Sequence, residues 1–218
     1  MTLSSGWRLY VIIDRAAVGS RDPADVAAAA IRGGADVIQL RDKHASARAL
    51  IEEAHRVKRL TDAAGIPLII NDRADVARAV GADGVHLGQD DLPIHEARAI
   101  LGEGRLIGAS THSLEQAQVA VREGADYIGC GPIFPTPTKP DYGSVGVGLI
   151  GQVRAAVQVP VVCIGGIDQT TIEDVLAAGA KCVAVVRAVC GAPDPEAAAR
   201  ALKQRIVQFR RATPPSSL

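Results

Sequence analysis

Short apolar runs alternate with longer amphipathic stretches along almost the whole chain. Eight runs read as strands, at 8–14, 36–42, 67–71, 84–87, 106–110, 127–130, 160–164 and 182–186. Between them lie helical patterns. Asp22-Pro23 opens the first as N-cap and first helical residue, and it runs to Gly33. Others span 46–64 and 74–80, begin after Pro93, cover 114–123, end at Val157, and cover 171–178 and 194–211. The strands are nearly all apolar, as a sheet covered on both faces requires. Four helix-to-strand turns repeat one pattern: Ala35-Asp36, Ala82-Asp83, Gly124-Ala125-Asp126 and Gly179-Ala180-Lys181. Such repetition predicts helices feeding a parallel sheet, closed as a single (β/α)8 barrel, an α/β fold, over residues 1–218 with a frayed tail at 212–218. In that fold the chemistry sits where the strands end.

Composition narrows the classes. The chain has 218 residues, enough for one domain with a full core, with 24 Lys+Arg against 24 Asp+Glu and 3% aromatics. A neutral, aromatic-poor chain is a poor fit to nucleic acid or a membrane surface. No apolar run approaches the roughly 18 residues of a spanning helix, and the N-terminus lacks a charged region followed by an apolar one. Cys130, Cys163, Cys182 and Cys190 have no metal-type spacing and read as reduced, mostly buried thiols of a cytoplasmic protein.

The strand exits carry candidate chemistry. Gln39, Arg41 and Lys43 are spaced i, i+2, i+4, which puts them on one face while Ile38 and Leu40 face the helices. An inward Arg and Lys at a barrel mouth call for an anion, unless both swing out to solvent. Asp72 ends the third strand and Asp90-Asp91 follow the fourth, so two carboxylates from adjacent strands can approach one Mg²⁺. The plain alternative makes Asp72 a helix cap and the others solvated loop acids. Ser110 either meets a ligand or starts the next helix. The loop after the sixth strand carries Thr136, Pro137, Thr138 and Lys139, and its length points to function. Gly165-Gly166, Val186 and Arg187 follow the last two strands, where backbone N–H groups usually cradle phosphate, although Gly-Gly also serves a tight turn. His86 reads as a residue satisfying a core hydrogen bond, outside the catalytic set, and His112 has no evident partner.

In order and at suitable spacing, Gln39–Lys43, Ile70–Arg73, Asp83–Asp91, Gly131–Lys139 and Ile164–Ile167 resemble the motifs of thiamine-phosphate synthases. The resemblance implies a transferase on a (β/α)8 barrel that couples hydroxymethylpyrimidine pyrophosphate to a thiazole phosphate with Mg²⁺, giving thiamine phosphate and pyrophosphate. It implies that Gln39, Leu40, Arg41, Asp42, Lys43 and Asn71 hold the pyrimidine pyrophosphate and that Asp72 and Asp91 ligate Mg²⁺. Ser110 and Lys139 would touch the same substrate, and Arg41, Lys43 and Lys139 would stabilise the leaving group. Thr136, Pro137 and Thr138 would contact the thiazole phosphate, cradled by Gly166, Val186 and Arg187. Arg187 departs from the family, which commonly has Ser there; it reads as an added phosphate clamp or as a solvated side chain.

The nearest rival is a thiazole tautomerase of the same superfamily, which has no pyrophosphate to discharge and so leaves the Gln39–Lys43 cations and the Asp72/Asp91 pair unexplained. An epimerase or isomerase on a phosphate-binding barrel explains the last two strands and leaves the second cationic cluster unexplained. A non-catalytic thiamine-phosphate binding module could dispense with the metal acids and Lys139. The expected partners are the two small substrates, with no nucleic acid and no membrane, and the sequence leaves a homo-oligomer open.

Overall fold

The computed structural model describes residues 6–137 and 143–212. Eight parallel strands close into a barrel in sequence order: β1 (Leu9–Asp14), β2 (Val37–Arg41), β3 (Leu68–Asn71), β4 (Gly84–Leu87), β5 (Leu106–Thr111), β6 (Tyr127–Cys130), β7 (Val161–Ile164) and β8 (Cys182–Val185). The helices that pack outside it are α2 (Pro23–Arg32), α3 (Ala47–Ala64), α4 (Ala74–Val80), α5 (Ile94–Leu101), α6 (Leu114–Arg122), α7 (Gly148–Ala156), α8 (Ile172–Ala177) and α10 (Pro195–Ala212). Two single-turn helices, α1 (Arg15–Val18) and α9 (Arg187–Cys190), follow β1 and β8.

The expected barrel is therefore present, with about half of the strand boundaries displaced by one residue. The two short helices are additions to it. The charged stretch after β1 folds because the Asp14 carboxylate accepts from the N–H groups of Ala16 and Ala17, capping a turn that has no apolar periodicity of its own. Asp22 and Ser46 cap α2 and α3 as their side-chain chemistry predicts. Ala212 closes α10, and the rest of the anticipated tail lies outside the described residues.

Strand alternation divides the core in two. Ile38, Leu40, Ile70, Val85, Ile107, Ile128 and Val183 point outward into the helical layer. Tyr10, Ile12, Val37, Ile69, Tyr127, Val162, Cys182 and Ala184 fill the interior. Trp7 seals the lower end with its ring edge-on to Tyr127, centroids 5.6 Å apart. Gly108 makes the interior possible, because a Cβ there would stand 2.1 Å from Cζ of Tyr127.

The repeated Asp turn has a mechanical purpose. Asp36 Oδ2 accepts from the N–H groups of Arg8 and Leu9 at 2.8 and 2.9 Å, Asp83 Oδ2 from Leu68 at 2.9 Å, and Asp126 Oδ2 from Ile107 at 2.7 Å. Each carboxylate thus seats the start of the neighbouring strand, and a cation from the helical layer backs it: Lys203 for Asp36, Lys58 for Asp83 and Arg98 for Asp126. Asp126→Ala removes the acceptor of a buried strand N–H and the partner of Arg98, so it should cost about 1–3 kcal/mol, read as a lower midpoint in urea unfolding. An unchanged midpoint would show that water replaces the carboxylate.

Candidate active site

A cavity of about 450 Å³ opens at the C-terminal end of the barrel. Side chains or main chain of Gln39, Arg41, Asn71, Ser110, Thr136, Pro137, Gly166, Val186 and Arg187 all reach its wall. It is bounded on one side by the exits of β2 to β5 and on the other by those of β7 and β8.

On the β2 side, Arg41 is held by a buried counterion the sequence reading did not single out. Its guanidinium pairs with Asp14, whose other oxygen caps α1, so one carboxylate fixes both a helix start and a site cation. Gln39 and Arg41 share the inner face as expected, whereas Leu40 turns its side chain into the helical layer. Asp42 folds its own loop by accepting from the N–H groups of His44 and Ala45. Lys43 lies beyond the strand end, where Nζ meets Asp72 at 2.7 Å.

Asp72 does not cap α4, which begins with no side-chain cap. It has φ +61°, in the left-handed region, and its carboxyl comes within hydrogen-bonding reach of Asp91. Burial pushes the Asp72 carboxyl above its ordinary value and Asp91 adds to the rise, while Lys43 opposes it. Asp91 in turn accepts from the N–H of Gly88 at 2.6 Å. Two crowded carboxylates from adjacent strands at an open mouth suit Mg²⁺, which takes one or two carboxylates and completes its shell with water and phosphate oxygens. Among the described residues no cluster of three His, Cys, Asp or Glu side chains suggests a fully protein-ligated metal.

Across the floor of the cavity runs a continuous polar chain. Gln39 Nε2 donates to the Tyr10 hydroxyl at 2.8 Å, Tyr10 meets the Tyr127 hydroxyl at 3.1 Å, Tyr127 meets His86 Nδ1 at 3.1 Å, and His86 Nε2 meets Ser110 Oγ at 3.0 Å. Ser110 does not start a helix, since Ser113 caps α6. His86 does satisfy a core hydrogen bond through Tyr127, and the same ring lines the cavity and touches Ser110. Tyr10 and Tyr127 were not among the sequence candidates; their signal is a phenol at an inward position of an otherwise apolar strand. His112, a further residue missed, lines the cavity and its Nδ1 meets the Gly131 carbonyl.

The β7 side is made of backbone. Gly165 and Gly166 have φ of +103° and +64°, a conformation glycine adopts freely. A Cβ on Gly165 would stand 2.4 Å from Pro132 Cα, because the loop after β6 lies directly on the turn. That loop is fastened by the N–H groups of Ile133 and Phe134 to the carbonyls of Ile164 and Gly165 at 2.8 and 3.0 Å. Thr171 Oγ1 donates to the Gly166 carbonyl at 3.0 Å. Arg187 is exposed at the cavity rim. Thr138 and Lys139 lie outside the described residues.

A closed parallel barrel with a cavity, cations and a glycine turn at its C-terminal mouth has the architecture of a (β/α)8 enzyme. The family model for thiamine monophosphate synthase matches residues 9–189. A thiamine-phosphate synthase of Chloroflexus aurantiacus is 52% identical over 198 residues, 90% of this chain and 91% of that protein. One of Shouchella clausii is 48% identical over 197 residues, 90% and 94% of the two chains. The solved thiamine phosphate pyrophosphorylase of Pyrococcus furiosus superposes with a TM-score of 0.86 at 38% identity, covering 93% of this chain and 96% of its own. The chain belongs to the thiamine monophosphate synthase family, and it is an enzyme of that kind, a transferase of thiamine biosynthesis. A 3-hexulose-6-phosphate synthase at 22% identity and a TM-score of 0.64 shares the fold alone.

Gly165→Ala should cost about 1–3 kcal/mol in backbone strain and displace the β6 loop, read as a lower melting temperature and weakened retention of phosphate compounds. A wild-type melting temperature would show that the turn relaxes around a methyl group.

Proposed function

We propose that this barrel couples 4-amino-2-methyl-5-hydroxymethylpyrimidine pyrophosphate to a thiazole phosphate. The observation that carries the reading is a pair of anion-handling groups facing each other across one cavity, Arg41 on one side and the Gly165-Gly166 turn with Arg187 on the other. The Asp72/Asp91 pair lies next to the cavity wall, Asp72 one residue past the lining residue Asn71. Gln39, Asn71 and Ser110, with the main chain at Leu40 and Asp42, hold the pyrimidine pyrophosphate. Thr136 to Thr138 and the Gly166, Val186 and Arg187 region hold the thiazole phosphate. Residues 1–218 act as one catalytic unit.

The bond between the pyrimidine methylene carbon and the pyrophosphate oxygen breaks with both electrons leaving on oxygen. The thiazole nitrogen lone pair then forms the new carbon–nitrogen bond to the resulting pyrimidine-methyl cation. This route needs no protein nucleophile, and the chain's own residues bind, orient and stabilise charge. Arg41, Lys43, Ser110 and Lys139 supply donors to the oxygens that gain charge as the bond breaks. A Mg²⁺ held by Asp72 and Asp91 would neutralise part of the pyrophosphate charge. Lys43, which pairs with Asp72, would stand beside the pyrophosphate as a further cation. Four buried free thiols and the absence, among the described residues, of a helix long and apolar enough to cross a membrane fit a cytoplasmic biosynthetic enzyme.

Purified protein given both substrates and Mg²⁺ should release one pyrophosphate per thiamine phosphate, and none with either substrate alone. Tautomerisation of a thiazole precursor without coupling would overturn the reading. Asp72→Ala or Asp91→Ala should lower kcat by at least about 10²-fold with little change in melting temperature, and EDTA should silence the wild type. Full activity in EDTA would remove the metal from the mechanism.

Arg187→Ser should leave kcat near wild type, because the backbone donors remain. It should weaken thiazole phosphate binding by about 1.5–3 kcal/mol, more at low salt than at high, and leave the pyrimidine pyrophosphate affinity in place. Titration of each substrate decides: equal thiazole phosphate affinity in both proteins would place the guanidinium in solvent.

A further inference from the structure

The polar chain from Gln39 to Ser110 crosses the barrel interior through three further strands, and its hydrogens can be assigned by elimination. Gln39, Tyr10 and Tyr127 are 2%, 2% and 0% exposed, so water does not stand in for a missing partner. Burial drives both phenol pKa values upward, so each oxygen keeps its one hydrogen. Tyr10 already accepts from Gln39 Nε2, and its second neighbour is the Tyr127 hydroxyl. If Tyr127 donated to it as well, the Tyr10 hydrogen would be buried without an acceptor. Tyr10 therefore donates to Tyr127, and by the same logic Tyr127 donates to His86 Nδ1. A ring nitrogen that accepts carries no hydrogen, so neutral His86 bears its proton on Nε2 and donates it to Ser110 Oγ. The Ser110 oxygen is then engaged as an acceptor, and its own hydrogen is turned to the cavity that Ser110 lines.

We propose that the Gln39 carboxamide sets the direction of this relay, fixing His86 as the Nε2–H tautomer and making Ser110 a hydrogen-bond donor to an anionic oxygen of the ligand. Tyr10, Tyr127 and His86 are positioning residues in this scheme; Ser110 alone meets the ligand among the last three links. The arrangement commits a buried network to one polarity and excludes the opposite one, in which Ser110 would point its hydrogen at His86 and oppose a pyrophosphate oxygen with a lone pair. A ligand group read at Gln39 and the donor presented at Ser110 are thereby coupled across the barrel. The last step rests on the reading that Ser110 faces the pyrimidine pyrophosphate; the relay itself does not.

The tautomer is directly observable. In full-length protein with ¹⁵N-labelled histidine at neutral pH, long-range ¹H–¹⁵N correlation should show His86 with a protonated Nε2 and a bare Nδ1, the signals assigned by their loss in His86→Gln. A protonated Nδ1 in the ligand-free wild type would overturn the proposal. Gln39→Glu replaces the terminal donor by an acceptor and should reverse the relay, moving the His86 proton to Nδ1. Tyr10→Phe cuts the link to Gln39 and should give a mixture of both tautomers. Whichever of these variants folds decides the point, since an unaltered Nε2–H tautomer in it would show that Gln39 does not set the direction. In a coupling assay Tyr10→Phe should lower kcat about tenfold with the KM for thiazole phosphate unchanged; equal kcat with a shifted tautomer would detach Ser110 donation from catalysis. The spectrum is read without substrate, so the relay and the proposed reaction can fail separately.

Discussion

Seating alternate strands by buried carboxylates is the constraint on which the rest of the molecule rests. Asp36 and Asp83 accept the first N–H of β1 and β3, and Asp126 the second N–H of β5, which fixes where these strands begin. A parallel barrel slides or tilts only if every ladder shifts together, so pinning three strand starts at one rim determines the heights of the strand ends at the other. The inner face then follows by alternation. Tyr10, Gln39, His86, Ser110 and Tyr127 come from five different strands, and their hydroxyl, amide and imidazole groups meet at about 3 Å because the register holds them there.

The charges at the mouth are organised by a second rule: each site cation of the described residues on the β2 side has a resident carboxylate. Arg41 is paired with Asp14 and Lys43 with Asp72. Such pairs hold long side chains in place in the absence of ligand at modest net stability, since desolvation and attraction nearly cancel. The two differ in purpose. Asp14 is 3% exposed and engaged by two backbone N–H groups as well as Arg41, so it is a fixed support. Asp72 is less buried than Asp14, pairs with the half-exposed Lys43 and lies within hydrogen-bonding reach of a second carboxylate, Asp91. The β7 side works without such pairs: a left-handed glycine turn and a loop fastened onto it form the concavity, and Arg187 adds charge at the rim.

Several site residues were legible because strand exits obey simple geometry. The i, i+2 spacing of Gln39 and Arg41 and the glycine pair after β7 locate them without any contact being known. Lys43 was placed on the same face by that spacing, yet the strand stops at Arg41 and the chain turns to bring Lys43 to Asp72 instead. The same alternation sends Leu40 into the helices, whereas Asp42 carried no such signal, because a short turn consumes it as a local acceptor. Asp14 was hidden because its importance comes from a partner 27 residues away. His86 reads from sequence as a core hydrogen-bonding residue, and in the barrel its ring meets Tyr127 in the core and also lines the cavity.

The sequence by itself determined the alternation of strand and helix, the eightfold parallel barrel, the mouth as the working end and the family. Those follow from local information: apolar periodicity, capping residues, repeated turns and contiguous motifs. Only the tertiary structure decided which polar groups meet. The pairing of Asp14 with Arg41, the approach of Asp72 to Asp91, and the line from Gln39 to Ser110 depend on strand register and barrel closure. A shift of one residue in any ladder would turn those side chains to the opposite face while leaving every local pattern intact. Register is set by contacts between segments distant in sequence, and so it became visible only when the barrel closed.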